Sequence, residues 1–181
     1  MHVLLILLLA LLPITCGAAE IDICYNWSCA ATAHVKLSDE QMDVLQRISS
    51  EASDAQTERV AIADAIGVLE VFTAQQSPTG ADRGGNWNDQ NVDGRMDCID
   101  DSTNTMTYLK LMEEYRWLKF HLVGERVKRV RFLGISVHWA GSITTIDGGE
   151  RYAVDSWFYD DGHPAVIYPL QDWLSGQSPD D

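Results

Sequence analysis

The order of the hydrophobic patterns constrains the fold more than any other feature of this sequence. Apolar residues recur at helical spacing between residues 37 and 117, and after Gly124 they alternate as in β-strands. Helices followed by strands, without βα alternation, predict an α+β fold with an antiparallel sheet. The predicted architecture is a set of N-terminal helices, then a central helix bearing Cys98 that packs on a C-terminal antiparallel β-sheet.

Local signals divide this pattern into elements. Ser38 and Gln41 form a capping box that opens a first helix, and a segment rich in Pro and Gly after residue 77 ends the second. The first predicted helix opens at Ser38 within residues 37–52, and the second and third span residues 54–76 and 98–117. The predicted strands span residues 126–133, 134–146, 151–159 and 164–170, with a hairpin turn at residues 147–149.

The N-terminus has the pattern of a secretory signal. An apolar run from Val3 to Leu12 is too short to span a bilayer and is followed by small residues up to Ala19. We therefore expect residues 1–19 to be a signal peptide, with an uncleaved anchor as the alternative. The mature protein would be secreted or periplasmic, with residues 20–181 as a single domain: a helical N-terminal part (20–77) and a catalytic core (78–181).

The charge of the chain limits its partners. Its formal net charge is −14 and its pI is near 4.5. An acidic surface repels phosphate backbones and anionic lipids, so we do not expect nucleic acids or membrane surfaces to be partners. A peptide or protein substrate is compatible with this charge, and no sequence pattern indicates an organic cofactor.

Three cysteines remain after removal of the signal. Cys24 and Cys29 lie close enough in sequence to form a local disulfide, which leaves Cys98 free. Three reduced thiols, or a bond between Cys98 and one of the other two, remain as alternatives.

Cys98, His138 and Asp155 form a candidate catalytic set. If the hairpin turn has two central residues, facing residues have numbers that sum to 295, and His138 opposes Trp157. Asp155 is then a diagonal neighbour on the same face, where a carboxylate orients an imidazole. Cys98, at the start of a helix, would attack a carbonyl group, and His138 would protonate the leaving group.

An oxyanion at this site would need hydrogen-bond donors. The backbone N–H of Cys98 is one, and the preceding loop offers Trp87, Asn88 or Gln90 as a second. The sequence does not distinguish among these three.

Three short motifs carry a family resemblance. The segments "GRMDCIDDSTNTMTYLKLM", "VHWAGSI" and "YAVDSWF" resemble the Cys, His and Asp segments of the transglutaminase-like superfamily, which has a papain-like fold. The resemblance covers residues 94–169, under half of the chain, and departs from the family pattern at Asp97. It implies a cysteine peptidase or acyl transferase with a Cys-His-Asp triad.

The acidic residues around Cys98 oppose this interpretation unless a cation neutralises them. Asp97, Asp100 and Asp101 would raise the pKa of the thiol. Counted from Asp89, however, the side chains of the segment match the calcium loop of an EF-hand or dockerin-like module, with Gly94 at the sharp turn. The predicted ligands are Asp89, Asn91, Asp93, Arg95 (through its carbonyl), Asp97 and Asp100.

These observations lead to two hypotheses of different classes. The first is an exported cysteine-dependent hydrolase or acyl transferase that acts on amide or peptide bonds and is stabilised by Ca²⁺. The second is a non-catalytic calcium-binding interaction domain of the cell envelope, in which Cys98 only packs.

Overall fold

The computed structural model describes residues 18–131 and 136–179, and these form a mixed α+β structure, as predicted. Apart from its last two residues, the predicted signal peptide lies outside the described residues. The elements in chain order are β1 (Ala19–Tyr25), β2 (Ala31–Leu37), α1 (Asp39–Ser50), α2 (Ala55–Ala74), a 3-10 helix (Pro78–Ala81), α3 (Cys98–Glu114), β3 (His121–Val123), β4 (Val127–Arg131), β5 (Ser136–Thr145), β6 (Arg151–Asp155), β7 (Val166–Pro169) and α4 (Leu170–Ser175).

Helix starts follow the capping chemistry of the sequence. Ser38 and Gln41 form the predicted capping box of α1. Asp97 caps α3 by accepting hydrogen bonds from the backbone N–H groups of Ile99 and Asp100, and the Asp100 side chain accepts from the Asp97 N–H. Helix α3 therefore begins at Cys98 because two aspartates satisfy its free N–H groups.

The N-terminal part is not wholly helical, and this corrects the prediction for residues 20–77. It begins with an antiparallel hairpin, β1–β2, in which Ala19 pairs with Leu37 and Tyr25 with Ala31. Ile21, Ile23 and Val35 point into the core at alternating positions. This alternation was present in the sequence, but it is short and directly follows the apolar signal-like segment.

The larger sheet contains five strands, with β5 at its centre. Strands β3 and β4 pair in succession with one edge of β5. Strand β6 pairs with the other edge of β5, and β7 pairs with β6. Gly141 pairs with Val154 and Thr144 with Arg151, so the predicted register, in which facing residues sum to 295, is confirmed. The hairpin loop is wider than predicted, because Thr145 and Glu150 close it through a backbone hydrogen bond of 2.8 Å.

The two faces of this sheet are covered by different helices. Helices α3 and α2 pack on one face, where Glu58 of α2 bonds His121 of β3. Helix α1 and the β1–β2 hairpin complete the main core on this side of the sheet. Gly141 allows the close approach of α3, since a Cβ there would lie 2.8 Å from Thr105 Cγ2. Helix α4 covers the opposite face, where Trp173 packs with Ala140, Ala153 and Leu170.

Between residues 18 and 131 and between residues 136 and 179, no helix has the length and apolar character that are needed to cross a bilayer.

Candidate active site

His138 and Asp155 form a buried pair on the face of the sheet that α4 covers. The Nε2 atom of His138 lies 2.7 Å from Oδ2 of Asp155, and both residues are at least 96% buried. The pair arises from the predicted register, which makes Asp155 the diagonal neighbour of His138 across β5 and β6. The structure thus brings together two of the three predicted catalytic side chains.

The surroundings of Asp155 determine which nitrogen of His138 carries the proton. Its Oδ2 also accepts a hydrogen bond from the indole Nε1 of Trp173 at 2.8 Å, and its Oδ1 accepts from the backbone N–H of Trp157 at 3.3 Å. A carboxylate that accepts from this many donors requires the histidine proton on Nε2. In the neutral imidazole Nδ1 then holds the lone pair, and this buried atom has no hydrogen-bond partner among the described residues.

The side chain of Cys98 contacts the backbone of β5, the strand that carries His138. Its Sγ lies 3.9 Å from the carbonyl oxygen of Val137, and the backbone N–H of Trp139 also donates to it. Both groups flank His138 and point to the same edge of β5. Strand β6 pairs only with residues 141–144, so this edge is free to receive the thiol. The sulfur thus contacts the backbone on either side of His138, and its hydrogen bonds are with that backbone rather than with the imidazole.

The surroundings of Cys98 favour a neutral thiol. The pKa of Cys98 is raised to about 11, chiefly by burial and also by the charges of Asp97, Asp101 and Asp155, whereas the Trp139 N–H lowers it. A helix N-terminus and a nearby imidazolium would lower the pKa of a thiol, whereas the neighbouring aspartates raise it. Burial acts in the same direction as the aspartates, so the pKa of the Cys98 thiol is raised.

An aromatic cavity of about 220 Å³ opens onto Cys98. Trp157 joins this cavity to the imidazole, because its ring centroid lies 4.8 Å from that of His138 and 4.8 Å from that of Trp87. The lining residues are Trp27, Asn86, Trp87, Asp97, Cys98, Ile99, Val137, Trp139 and Trp157.

The three predicted oxyanion donors occupy different positions. Trp87 lines the cavity, whereas Asn88 and Gln90 are exposed and do not line it. The structure adds Trp27, whose indole Nε1 is buried without a hydrogen-bond partner among the described residues. Sequence analysis missed Trp27 because it is about 70 residues from Cys98 along the chain.

A disulfide-closed loop brings Trp27 to the cavity. Cys24 and Cys29 are bonded, as predicted, and Cys98 is free. Residues 26–29 all have positive φ, between 56° and 67°, a conformation that non-glycine residues rarely adopt. The backbone N–H groups of Asn26 and Cys29 donate to the Arg95 carbonyl and the Asp100 carboxylate, at 2.8 and 2.5 Å. These bonds hold the loop against the N-terminus of α3.

The predicted calcium-loop side chains are used for other contacts. Asp89 accepts from Asn86 and pairs with Arg95, and Asp93 accepts from Asn26. As described above, Asp97 and Asp100 bind backbone N–H groups of α3 and of the disulfide loop. Asn91 is exposed. Gly94 does make the predicted sharp turn, with φ of +85° and close contact with the Pro78 carbonyl. Calcium binding by this loop stays a prediction.

One group of three metal-type ligand atoms within 4.8 Å of one another occurs among the described residues, formed by Cys24, Cys29 and Asp100. Both sulfur atoms of this group belong to the disulfide. They are therefore not thiolate ligands, and the group does not fit a metal ion.

The chain was compared with protein-family models, with curated proteins and with solved structures, and none of the three comparisons gives a match.

Proposed function

We propose that this chain is an exported cysteine-dependent hydrolase or acyl transferase that acts on amide or peptide bonds through Cys98, His138 and Asp155. The observation that carries the proposal is the state of His138. Asp155 fixes its Nε2–H, its Nδ1 lone pair is unpartnered, and a free thiol lies against the backbone on either side of it. The resemblance of the three motifs to transglutaminase-like proteins supports the same assignment.

In this mechanism His138 is a general base. It accepts the thiol proton on Nδ1 as Cys98 Sγ attacks the substrate carbonyl carbon, and it then donates that proton to the leaving amine. Water completes hydrolysis of the thioester, or a second amine completes transfer. The Sγ and Nδ1 atoms must come within hydrogen-bond reach, and such contacts often tighten only when substrate binds.

The cavity supplies the remaining catalytic groups. The backbone N–H of Cys98 and the indole N–H of Trp27 are the two donors offered to the oxyanion of the tetrahedral intermediate. The tryptophan rings around Cys98 exclude water and provide an apolar surface for a peptide or protein substrate.

Two features support export. The N-terminal sequence has the pattern of a secretory signal, and the Cys24–Cys29 disulfide is of a kind that persists in oxidising compartments. Ca²⁺ bound by residues 89–100 remains part of the proposal as a stabilising ion.

Acylation by an activated ester tests the proposal. Mature protein mixed with p-nitrophenyl acetate at pH 7.5 is expected to release a burst of about one equivalent of p-nitrophenolate, since the thiol forms an acyl-enzyme. The Cys98→Ala variant is the matched control and should show no burst. A wild-type burst that persists in Cys98→Ala, or no burst in either protein, would contradict the proposal and favour the non-catalytic interaction domain.

The pH dependence of alkylation tests the charge state of the thiol. Because the pKa of Cys98 is raised to about 11, iodoacetamide should label it more slowly at pH 7 than it labels a cysteine peptide, and the rate should rise about tenfold per pH unit up to about pH 10. The second-order rate constant is measured by mass spectrometry. A rate at pH 7 above that of the peptide would instead show a thiolate–imidazolium pair.

A further inference from the structure

Four acidic side chains outside the cysteine site meet in the interior. Glu70 comes from α2, Asp82 follows the 3-10 helix, Asp101 lies in the first turn of α3, and Asp161 follows β6. Glu70, Asp82 and Asp101 are 5%, 3% and 4% exposed, and Asp161 is half-buried. We call these four residues the acidic cluster.

Hydrogen bonds connect the segments that carry the acidic cluster. The Gly162 N–H, next to Asp161, donates to Glu70 Oε2 at 2.8 Å, and the Ser156 hydroxyl also bonds Glu70. Ser156 lies 3.1 Å from the hydroxyl of Thr105, which is one helical turn beyond Asp101.

Thr79 links the other two members of the cluster. Its hydroxyl bonds Asp161, and its carbonyl accepts the Asp82 N–H at 2.8 Å. These links place Glu70, Asp82 and Asp161 beside one another. The charges of these three residues also act on Asp101, where they raise the pKa of its carboxyl.

The charges of the cluster are not balanced by basic residues. The carboxylates of Glu70, Asp101 and Asp161 act mainly on one another and on Asp82, and Arg95 is the basic residue that lowers the pKa of Asp82. Asp101 Oδ2 is buried and has no hydrogen-bond partner among the described residues. The same holds for Asp161 Oδ2. Buried carboxylate oxygens without donors are costly, so a proton or a cation must compensate them.

Burial raises the pKa of all four carboxyls, and it raises those of Glu70 and Asp101 well above their usual range. The unpartnered oxygens of Asp101 and Asp161 are the geometric feature that distinguishes a cation site from a set of protonated acids, because a bound cation would contact them. The protein also carries a formal net charge of −14, which attracts cations to its surface.

We propose that the acidic cluster binds a divalent cation, with Asp101 and Asp161 offering their unpartnered oxygens and Glu70 and Asp82 completing the acidic shell. Oxygen ligands of this kind select a hard cation, and Ca²⁺ is favoured over Mg²⁺ because it accepts irregular shells of six to eight oxygens. No three of these carboxylates converge within 4.8 Å in the described structure. At most two of the carboxylates would therefore bind the ion directly, and the others would act through water molecules. The affinity is expected to be in the range of about 10⁻⁴–10⁻³ M.

This site differs from the predicted loop at residues 89–100, and it does not depend on the chemistry of Cys98. Asp101 lies in the first turn of α3, three residues after Cys98, so a cation bound there would also hold the start of this helix. Its loss would be observed as a change in stability even if the protein had no enzymatic activity.

Thermal unfolding of chelator-treated mature protein tests the site, with Ca²⁺ alone as the probe. Wild-type Tm is expected to rise by about 5–10 °C when Ca²⁺ is raised to about 100 times its Kd. Asp101→Asn should remove most of this rise while keeping the shape of the side chain. Asp43→Asn, on the exposed face of α1, is the matched control and should keep the full rise. Asp93→Asn tests the predicted loop separately and should keep the part of the rise that the acidic cluster supplies.

Asp161→Asn serves as a second variant if Asp101→Asn does not fold, because Asp161 is only half-buried. The proposal is overturned if wild-type Tm is the same in Ca²⁺ and in chelator, or if the acidic-cluster variants respond as wild type does. It is also overturned if Asp93→Asn loses the response while the acidic-cluster variants keep it, since the loop would then hold the ion. Terbium luminescence, sensitised by the nearby buried Tyr108, should disappear in the same variants that lose the Tm response.

Discussion

Replacing His138 by Gln is expected to slow acylation of Cys98 by p-nitrophenyl acetate about 10²- to 10⁴-fold, the usual contribution of a general base. Cys98 is a neutral thiol with its pKa raised to about 11, so it is a poor nucleophile without a base. The glutamine amide still donates to Asp155 but has no basic nitrogen. The rate of the p-nitrophenolate burst, measured by stopped flow, gives the ratio.

The pH profile separates a loss of the base from a change in folding. The variant rate should rise with pH up to the thiol pKa of about 11, whereas wild-type acylation, which uses a base, should depend less steeply on pH. Circular dichroism and Tm provide the folding control. A correctly folded His138→Gln that acylates at the wild-type rate would remove His138 from the mechanism.

Replacing Trp173 by Ala is expected to lower the free energy of unfolding by about 3–5 kcal/mol. The indole is fully buried on the α4 face of the sheet, donates to Asp155 Oδ2 at 2.8 Å, and packs against the Arg129 guanidinium at 4.8 Å. Its removal leaves a cavity and takes one donor from a buried carboxylate. Urea unfolding followed by circular dichroism measures the loss, and Tm should fall by about 10 °C.

Two variants show which part of Trp173 is responsible. Leu174→Ala, on the same helix but 39% exposed, should change stability by less than about 0.5 kcal/mol. Trp173→Phe keeps most of the ring volume and loses only the N–H, so its cost should be about 1–3 kcal/mol. A Trp173→Ala protein as stable as Leu174→Ala would show that α4 does not support the His138–Asp155 pair.

Local chemistry in the sequence determined most of the elements around the site. The capping box of Ser38 and Gln41 predicts where the first helix begins, because a side-chain oxygen must satisfy free N–H groups within three residues. In the structure Asp54 and Asp97 cap the next two long helices by the same chemistry. The period of two in β5 and β6, with the glycines of the turn, predicts the register that pairs His138 with Asp155. The Cys24–Cys29 disulfide is also local, since only four residues lie between its cysteines.

The tertiary structure decided the features that depend on contacts between distant segments. Trp27 reaches the cavity of Cys98 through contacts between distant segments, among them the bonds from Asn104 of α3 to the backbone N–H and C=O of Cys24. Burial of Cys98 against the free edge of β5 raises its pKa, and no residue within the motif predicts that edge. The acidic cluster combines residues up to 91 positions apart, Glu70 and Asp161, each unremarkable in its own segment. The sequence by itself therefore determined the short-range hydrogen bonds and the strand register. Only the folded chain decided burial, charge proximity and the surroundings of the thiol, because these arise from through-space contacts.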